Sequence, residues 1–362
     1  MPRALRKWID RYLAEDEALI LVGLLVLALT LIATLGNLLA PVLAAVVLAF
    51  MMQGVVARLR WIGVPEPAAV GLAYALFIGV FLTFFLVLLP LVWDQLRGLA
   101  ADLPRMIDTG YRNFVRLRDE YSLLLGEEQL RVLLEGGSAD LASYGQRVLS
   151  WSLGVLPGVL GMAIYVVIVP ILVFFLLKDR RMILAWCASL LPEDRQRITY
   201  IWQEMVVQLA NYVRGKGVEI LIVGAVSIVT FSLFGLRYAL LLGFLVGLSV
   251  VIPYVGAVLV TIPVALVAWF QWGWSPMTGY LLLAYLIIQV IDGNVLVPIL
   301  FSEANNLHPV AIILAVLVFG SIWGVWGAFF AIPLATLVKA LMTAWPRSHA
   351  SRPALDTDGE HD

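Results

Sequence analysis

From Glu219 to Lys339 the chain is almost continuously apolar, broken only by single polar or charged groups and by repeated Pro and Gly. A hydrocarbon core about 30 Å thick is crossed by roughly 20 helical residues, so this stretch of about 120 residues holds several spans. Upstream, an apolar run over 18–35 leads to Gly36-Asn37, which reads as a tight turn, and a second run follows over 38–56. Those two runs predict a helical hairpin. Val64-Pro65-Glu66-Pro67 sets an extended approach to a third span at about 68–92, and a fourth at about 152–177 stops at Lys178-Asp179-Arg180-Arg181. Four more spans fit about 218–236, 239–270, 276–300 and 309–345, the second and fourth long enough to be bent or re-entrant. The expectation is an all-α polytopic membrane protein of about eight transmembrane helices.

The segment 93–150 has a different pattern. Leu96, Leu99, Leu103, Met106 and Ile107 recur at helical spacing, as do Phe114, Leu117, Tyr121, Leu124 and Leu125, with breaks at Asp108-Thr109-Gly110 and Gly136-Gly137-Ser138. This predicts a small antiparallel helical cap outside the membrane. A second amphipathic stretch, 193–213, carries Ile198, Ile201, Trp202, Met205 and Leu209 on one stripe and suits the inner interface. The organisation is then an N-terminal membrane region 1–92, the extracytoplasmic insertion 93–150, a C-terminal membrane region 151–345 and a tail 346–362 expected to be disordered and cytoplasmic.

Composition excludes several classes. Of 362 residues 62% are hydrophobic and 14% charged, against about 25% charged in an ordinary soluble domain. The net charge of −1 and the lack of a basic stripe give no support to nucleic-acid binding. Cys187 is the single cysteine, so no disulfide can form within the chain and no Cys-based metal cage exists. No cofactor is implied. The basic N-terminus, Met1 to Trp8, lacks a convincing Ala-x-Ala site after its first apolar run, which reads as a retained span. Under the eight-span reading Arg3, Arg6, Lys7, Arg58, Arg60, Lys178, Arg180, Arg181, Arg214, Lys216 and Arg347 share one side, so that side and both termini are expected to be cytoplasmic.

The ionisable side chains of the long apolar region are Glu219, Arg237, Asp292, Glu303, His308 and Lys339. A charge at mid-span costs roughly 2.5–3.5 kcal/mol on insertion scales, so each is paired, solvated or used. Asp292 sits in an apolar span between Gln289 and Asn294, and Tyr285, Gln289 and Asp292 form a polar stripe along one face. It is either a proton- or cation-handling carboxylate or a structural one bonded to a neighbouring helix. Glu219, three residues after Lys216, could stabilise the start of its span or line a pathway. Arg237 and Lys339 can snorkel to the interface. His308, preceding Pro309 at a span entrance, suits a loop, a cap or a proton relay. The Pro and Gly interruptions at Pro253-Tyr254-Val255-Gly256, Asp292-Gly293-Asn294, Pro298, Asn306-Leu307-His308-Pro309 and Gly324 to Gly327 are either packing kinks or the broken helices by which secondary transporters expose backbone to a solute. Gly256-Ala257 before Ile262-Pro263 is echoed by Gly327-Ala328 before Ile332-Pro333, either a parallel repeat or chance. No nucleophile elbow, His-Glu-x-x-His or complete phosphate loop is present, so the chain does not read as an enzyme.

These residues resemble the autoinducer-2 exporter family of bacterial inner-membrane, permease-like proteins. The resemblance rests on Phe174 to Arg180, Tyr212 with Arg214-Gly215-Lys216, Ile252 to Gly256, Asp292 to Pro298, Leu307-His308-Pro309, and Gly324-Val325-Trp326-Gly327 through Ile332-Pro333-Leu334. It implies a secondary transporter, either exporting a small polar solute such as autoinducer-2 or exchanging Na⁺ or Li⁺ for H⁺. Its pathway is expected among Tyr212, Glu219, Pro253, Tyr254, Gly256, Gln289, Asp292, Asn294, Asn306 and His308, with hinges at Pro298, Pro309, Gly324, Gly327 and Pro333. The expected partners are the lipid bilayer, the solute with H⁺ or Na⁺, and possible further copies of the chain. The reading from another class is a non-transporting scaffold that acts through the 93–150 cap.

Overall fold

The computed structural model describes residues 16–120, 156–189, 196–301 and 307–344, which are helical apart from short links, with no strand among the described residues. The helices are α1 (Asp16–Trp61), α2 (Glu66–Thr83), α3 (Leu89–Glu120), α4 (Leu156–Lys178), α5 (Arg180–Ser189), α6 (Gln196–Leu233), α7 (Ala239–Ser249), α8 (Val255–Trp272), α9 (Pro276–Ile291), α10 (Val297–Phe301), α11 (Pro309–Phe329) and α12 (Ala331–Ala344). Single π-helical turns, Phe84–Leu88 and Asp292–Leu296, join α2 to α3 and α9 to α10 without a break. Among the described residues six helical stretches are long and apolar enough to cross a membrane: Leu38–Trp61, Glu66–Met106, Met205–Leu233, Val255–Trp272, Pro276–Phe301 and Pro309–Phe329. Tyr165–Lys178 and Ala239–Ser249 are shorter apolar helices. The protein is an all-α polytopic membrane protein.

Three boundaries differ from expectation. Gly36-Asn37 is no turn, because α1 runs through it and through Pro41 as one helix of 46 residues, about 69 Å long at 1.5 Å per residue. A helical Gly costs only about 1 kcal/mol relative to Ala and Asn less, so an apolar context overrides both. The turn expected between the two apolar runs is therefore replaced by continuous helix. Asp108-Thr109-Gly110 is no break either, since α3 continues to Glu120 and Thr109 turns its hydroxyl back onto the Arg105 carbonyl at 2.9 Å. The amphipathic stretch to 213 and the span after 218 are one helix, α6, with Gly215 and Gly217 inside it. The basic residues before 16, Gly136-Gly137-Ser138, Glu303, Asn306 and the tail 346–362 lie outside the described residues.

The chain forms two compact units. One lies within Ala40–Ile183 and Ala210–Asn305, the other within Met1–Leu39, Leu184–Leu209 and Asn306–Asp362.

In the first unit the chain from α6 to α9 folds back on itself three times. Glycines let α6 and α7 approach closely: a Cβ on Gly247 would meet the Gly224 Cα at 2.7 Å and the Ile220 carbonyl at 2.8 Å, and one on Gly243 would meet the Ile228 backbone. Small residues of this kind let membrane helices pack backbone to backbone. Gln271 near the end of α8 accepts from Arg237 N–H at 2.7 Å and donates to the Gly235 carbonyl at 2.8 Å, just before α7 begins. α7 and α8 are thus antiparallel, and the stretch 239–270 is a helical hairpin. Phe231, Leu242, Val246, Val264, Leu281 and Tyr285 fill the core between these helices. Met106 and Leu99 of the 96–107 stripe pack onto the same core, so that stripe is already used within the unit. Tyr238, in the link before α7, donates to Asp102 at 2.7 Å. Partial burial and then the Asp102 bond and charge push its hydroxyl up to about 12, keeping it a donor at ordinary pH. Helices α1, α2 and α4 meet in a second cluster of Ala45, Val56, Ala69, Ala73, Phe77, Val169 and Val173.

One end of this unit collects the basic residues. Glu66 binds Arg181 at 2.8 Å and lies 3.8 Å from Arg60, while Gly54 and Met51 of α1 face Arg214 and Gly217 of α6.

In the second unit, α11 and α12 meet at a compact aromatic joint. Phe330 stacks with Trp323 and Trp326 at ring centroids 6.1 and 6.2 Å apart. Gly324, with φ 61° and ψ −139°, kinks α11.

Candidate functional site

The basic end of the first unit is where its helices are broken. α7 stops at Ser249, the chain turns through Val250 to Tyr254, and α8 starts at Val255. Pro253 supplies a carbonyl to Val255 N–H at 2.6 Å, which forces Tyr254 into φ 61°, ψ −50°. This is a tight γ-turn, a conformation that a residue with a Cβ adopts rarely and under strain. Gly256 is required just beyond, because a Cβ there would run into the Ser249 carbonyl.

Lys216 of α6 reaches this break. Its ammonium donates to the Val250 carbonyl at 2.8 Å and contacts Glu219 at 2.8 Å to Oε2 and 3.1 Å to Oε1. The face of Phe301 lies 5.4 Å away, and Phe301 also packs on Tyr212 and closes over Gly215. Lys216 and Glu219 are both buried, at 5% and 2% exposure. The ammonium thus donates to one carboxylate oxygen and to a carbonyl at the end of α7, where the helix dipole adds negative charge, while the second carboxylate oxygen is in ionic contact with it.

Asp292 opens the π-helical turn after α9 and stands within electrostatic reach of both Lys216 and Glu219. Its Oδ1 is buried with no hydrogen-bond donor among the described residues. Single π-turns recur at functional sites, because the extra residue re-aims the side chains around it. Two carboxylates therefore lie within the field of one ammonium, which is in contact with Glu219. With both ionised the cluster carries one surplus negative charge, and one proton or monovalent cation makes it neutral.

A polar line continues from Asp292 along α9. Gln289 stands next to the Tyr285 hydroxyl, which lies 3.1 Å from Thr261 Oγ1 and 3.4 Å from the Ala257 carbonyl of α8. Ser227 on α6, fully buried, and Gln289 Nε2 have no hydrogen-bond partner among the described residues. Tyr212, Glu219, Pro253, Tyr254, Gly256, Gln289 and Asp292 thus fall in one unit around the broken end or the line leading from it. Asn294 is exposed and turns back onto the Val290 carbonyl at 2.9 Å, and Pro298 lies exposed in α10. His308, Pro309, Gly324, Gly327 and Pro333 belong to the other unit. His308 caps α11 by accepting from Val310 N–H at 3.3 Å, Pro309 occupies the first turn, and Pro333 is buried in α12. Gly327 lies so close to the Phe319 carbonyl that no Cβ fits. Asn306 lies outside the described residues.

Reading the sequence missed Lys216 as a member of the site. Its spacing of three from Glu219 was the available signal. Nothing in the sequence pointed to the Val250 carbonyl, Thr261 or Phe301.

Residues 19–347 match the family described as AI-2E family transporter. PerM of Escherichia coli K12, a candidate permease by its description, is 43% identical over 346 residues, covering 96% of this chain and 98% of PerM. YueF of Bacillus subtilis 168, described as a candidate transport protein, is 28% identical over 313 residues, covering 83% and 82% of the two chains.

Proposed function

The chain belongs to the AI-2E transporter family, and from that premise we propose that it is a secondary transporter of the bacterial inner membrane, moving a small polar solute in exchange for a proton or monovalent cation held at Asp292. The supporting observation is the surplus carboxylate. Lys216 and Glu219 pair beside the break between α7 and α8, and Asp292, in the π-turn after α9, stands within electrostatic reach of both, so one ammonium serves two acids. A charge imbalance at a half-buried carboxylate beside a buried pair is costly at rest and is relieved by binding a cation. The broken helix beside it supplies a main-chain carbonyl, that of Val250, and a strained turn at Tyr254. The basic end is assigned to the cytoplasm by its Lys and Arg excess.

Autoinducer-2 is the first solute to test. Exchange of Na⁺ or Li⁺ for H⁺ is the second reading, favoured by the same surplus carboxylate. Proteoliposomes containing the purified protein separate them. Autoinducer-2 flux lost in Asp292→Asn supports the exporter, and Na⁺- or Li⁺-driven proton movement lost in the same variant supports the antiporter. Full flux retained in both Asp292→Asn and Pro253→Ala overturns the site assignment.

A further inference from the structure

The surroundings of the Lys216 ammonium are those of a monovalent cation site. A buried carboxylate presents both oxygens, a main-chain carbonyl comes from the end of a broken helix, and an aromatic face closes the shell. Unwound carbonyls and helix C-termini are the groups by which transporters hold Na⁺ at membrane depth, and an aromatic face attracts cations. Here every one of these acceptors is directed at a side chain of the protein itself. The groups around this point are Tyr212, Lys216 and Glu219 from α6, the Val250 carbonyl after α7, Asp292 from the start of the π-turn, and Phe301 from α10.

We propose that Lys216 is a tethered counter-cation that occupies a latent alkali-cation site formed by Glu219, the Val250 carbonyl and Phe301, and so makes this transporter indifferent to Na⁺ and Li⁺. Lys216 acts as a specificity-determining residue. The proposal rests on the transport reading for its physiological meaning, and it selects solute export over Na⁺ or Li⁺ exchange. The site itself is a matter of binding and stands apart from any flux. Without the ammonium, Glu219 is left as a buried, unpaired carboxylate facing a carbonyl. A small cation from solution can then take the vacated place.

The test is thermal unfolding of the detergent-purified protein in NaCl, LiCl and choline chloride at equal ionic strength. The unaltered protein is expected to melt at the same temperature in all three. Lys216→Ala is expected to melt lower in choline and to regain roughly 2–4 °C or more in Na⁺ or Li⁺. Adding Glu219→Gln to Lys216→Ala removes that response. Lys216→Gln, which keeps a donor for the Val250 carbonyl, carries the same comparison if the alanine variant is recovered only as aggregate. A Na⁺ or Li⁺ response in the unaltered protein, or folded Lys216 variants that melt identically in all three salts, overturns the proposal. Silence of the unaltered protein in every flux assay, with the cation response of Lys216→Ala intact, overturns the transport reading and leaves the site standing.

Discussion

At the scale of single residues, the buried pair governs both stability and chemistry. Glu219→Gln leaves the Lys216 ammonium buried without a carboxylate in direct contact, beside the Val250 carbonyl and the Phe301 face. Removing one member of a buried ion pair costs about 3–5 kcal/mol, and the variant is expected to melt well below the unaltered protein. Asp292 still faces Lys216 in that variant, so Glu219→Gln combined with Asp292→Asn should cost less than the sum of the two changes. A double-mutant cycle in melting temperature measures the coupling. Tyr254 makes the opposite kind of prediction. Its γ-turn conformation suits Gly and penalises β-branched residues, so Tyr254→Gly is expected to be more stable than Tyr254→Val by about 1–3 kcal/mol and to melt at the higher temperature. The stripe of Tyr285, Gln289 and Asp292 was legible in the sequence, because helical spacing alone aligns it. The partners of that stripe were not. A main-chain carbonyl such as Val250's carries no side-chain signature, and Thr261 and Phe301 look like ordinary residues of an apolar span until the helices that carry them are placed side by side.

At the scale of elements, glycines set how close the helices come. Gly247→Ala drives a methyl group into the Gly224 and Ile220 backbones, and overpacking of this kind costs about 1–3 kcal/mol. Gly79→Ala in α2 meets nothing within 4 Å and is expected to be neutral or to stabilise by up to about 1 kcal/mol. Thermal unfolding of the two single variants checks the contrast. Sequence reading separated these roles poorly, since glycines in apolar runs look alike. It succeeded where Pro and Gly combine, as in Pro253 to Gly256, and failed at Gly36-Asn37, where no proline or polar cluster supports the turn. The echo between Gly256 and Gly327 has a physical counterpart. Each lies shortly after a residue with positive φ, Tyr254 or Gly324, and each presses against a carbonyl on the other side of that bend, at Ser249 of α7 or at Phe319 before the kink in α11. Two separate units thus solve the same problem, a sharp re-entry into helix, with the same small residue.

At the scale of the whole molecule, the class was legible from apolar length alone, while the number and limits of the helices needed the structure. Runs of similar hydropathy do not announce whether they join end to end, as in α1, or fold back, as in α7 and α8. Topology offers a further test. Ile62 lies exposed at the basic end of its unit and Trp274 lies exposed near Gln271 at the other end. In a Cys187→Ser background, Ile62→Cys is expected to react with an impermeant thiol reagent only from the cytoplasmic side, and Trp274→Cys only from the opposite side. The short spacing of Lys216 and Glu219 also bears on biogenesis. Because they lie one turn apart on α6, they neutralise each other as soon as that turn becomes helical, before the later helices that pack around them, α7 to α10, have been synthesised. The nascent helix can then leave the insertion machinery as an electrically balanced segment, sparing the roughly 2.5–3.5 kcal/mol that a lone mid-membrane charge demands. Asp292 emerges about 70 residues later and finds an ammonium already waiting in the bilayer, so the chain escorts this half-buried charge to its destination.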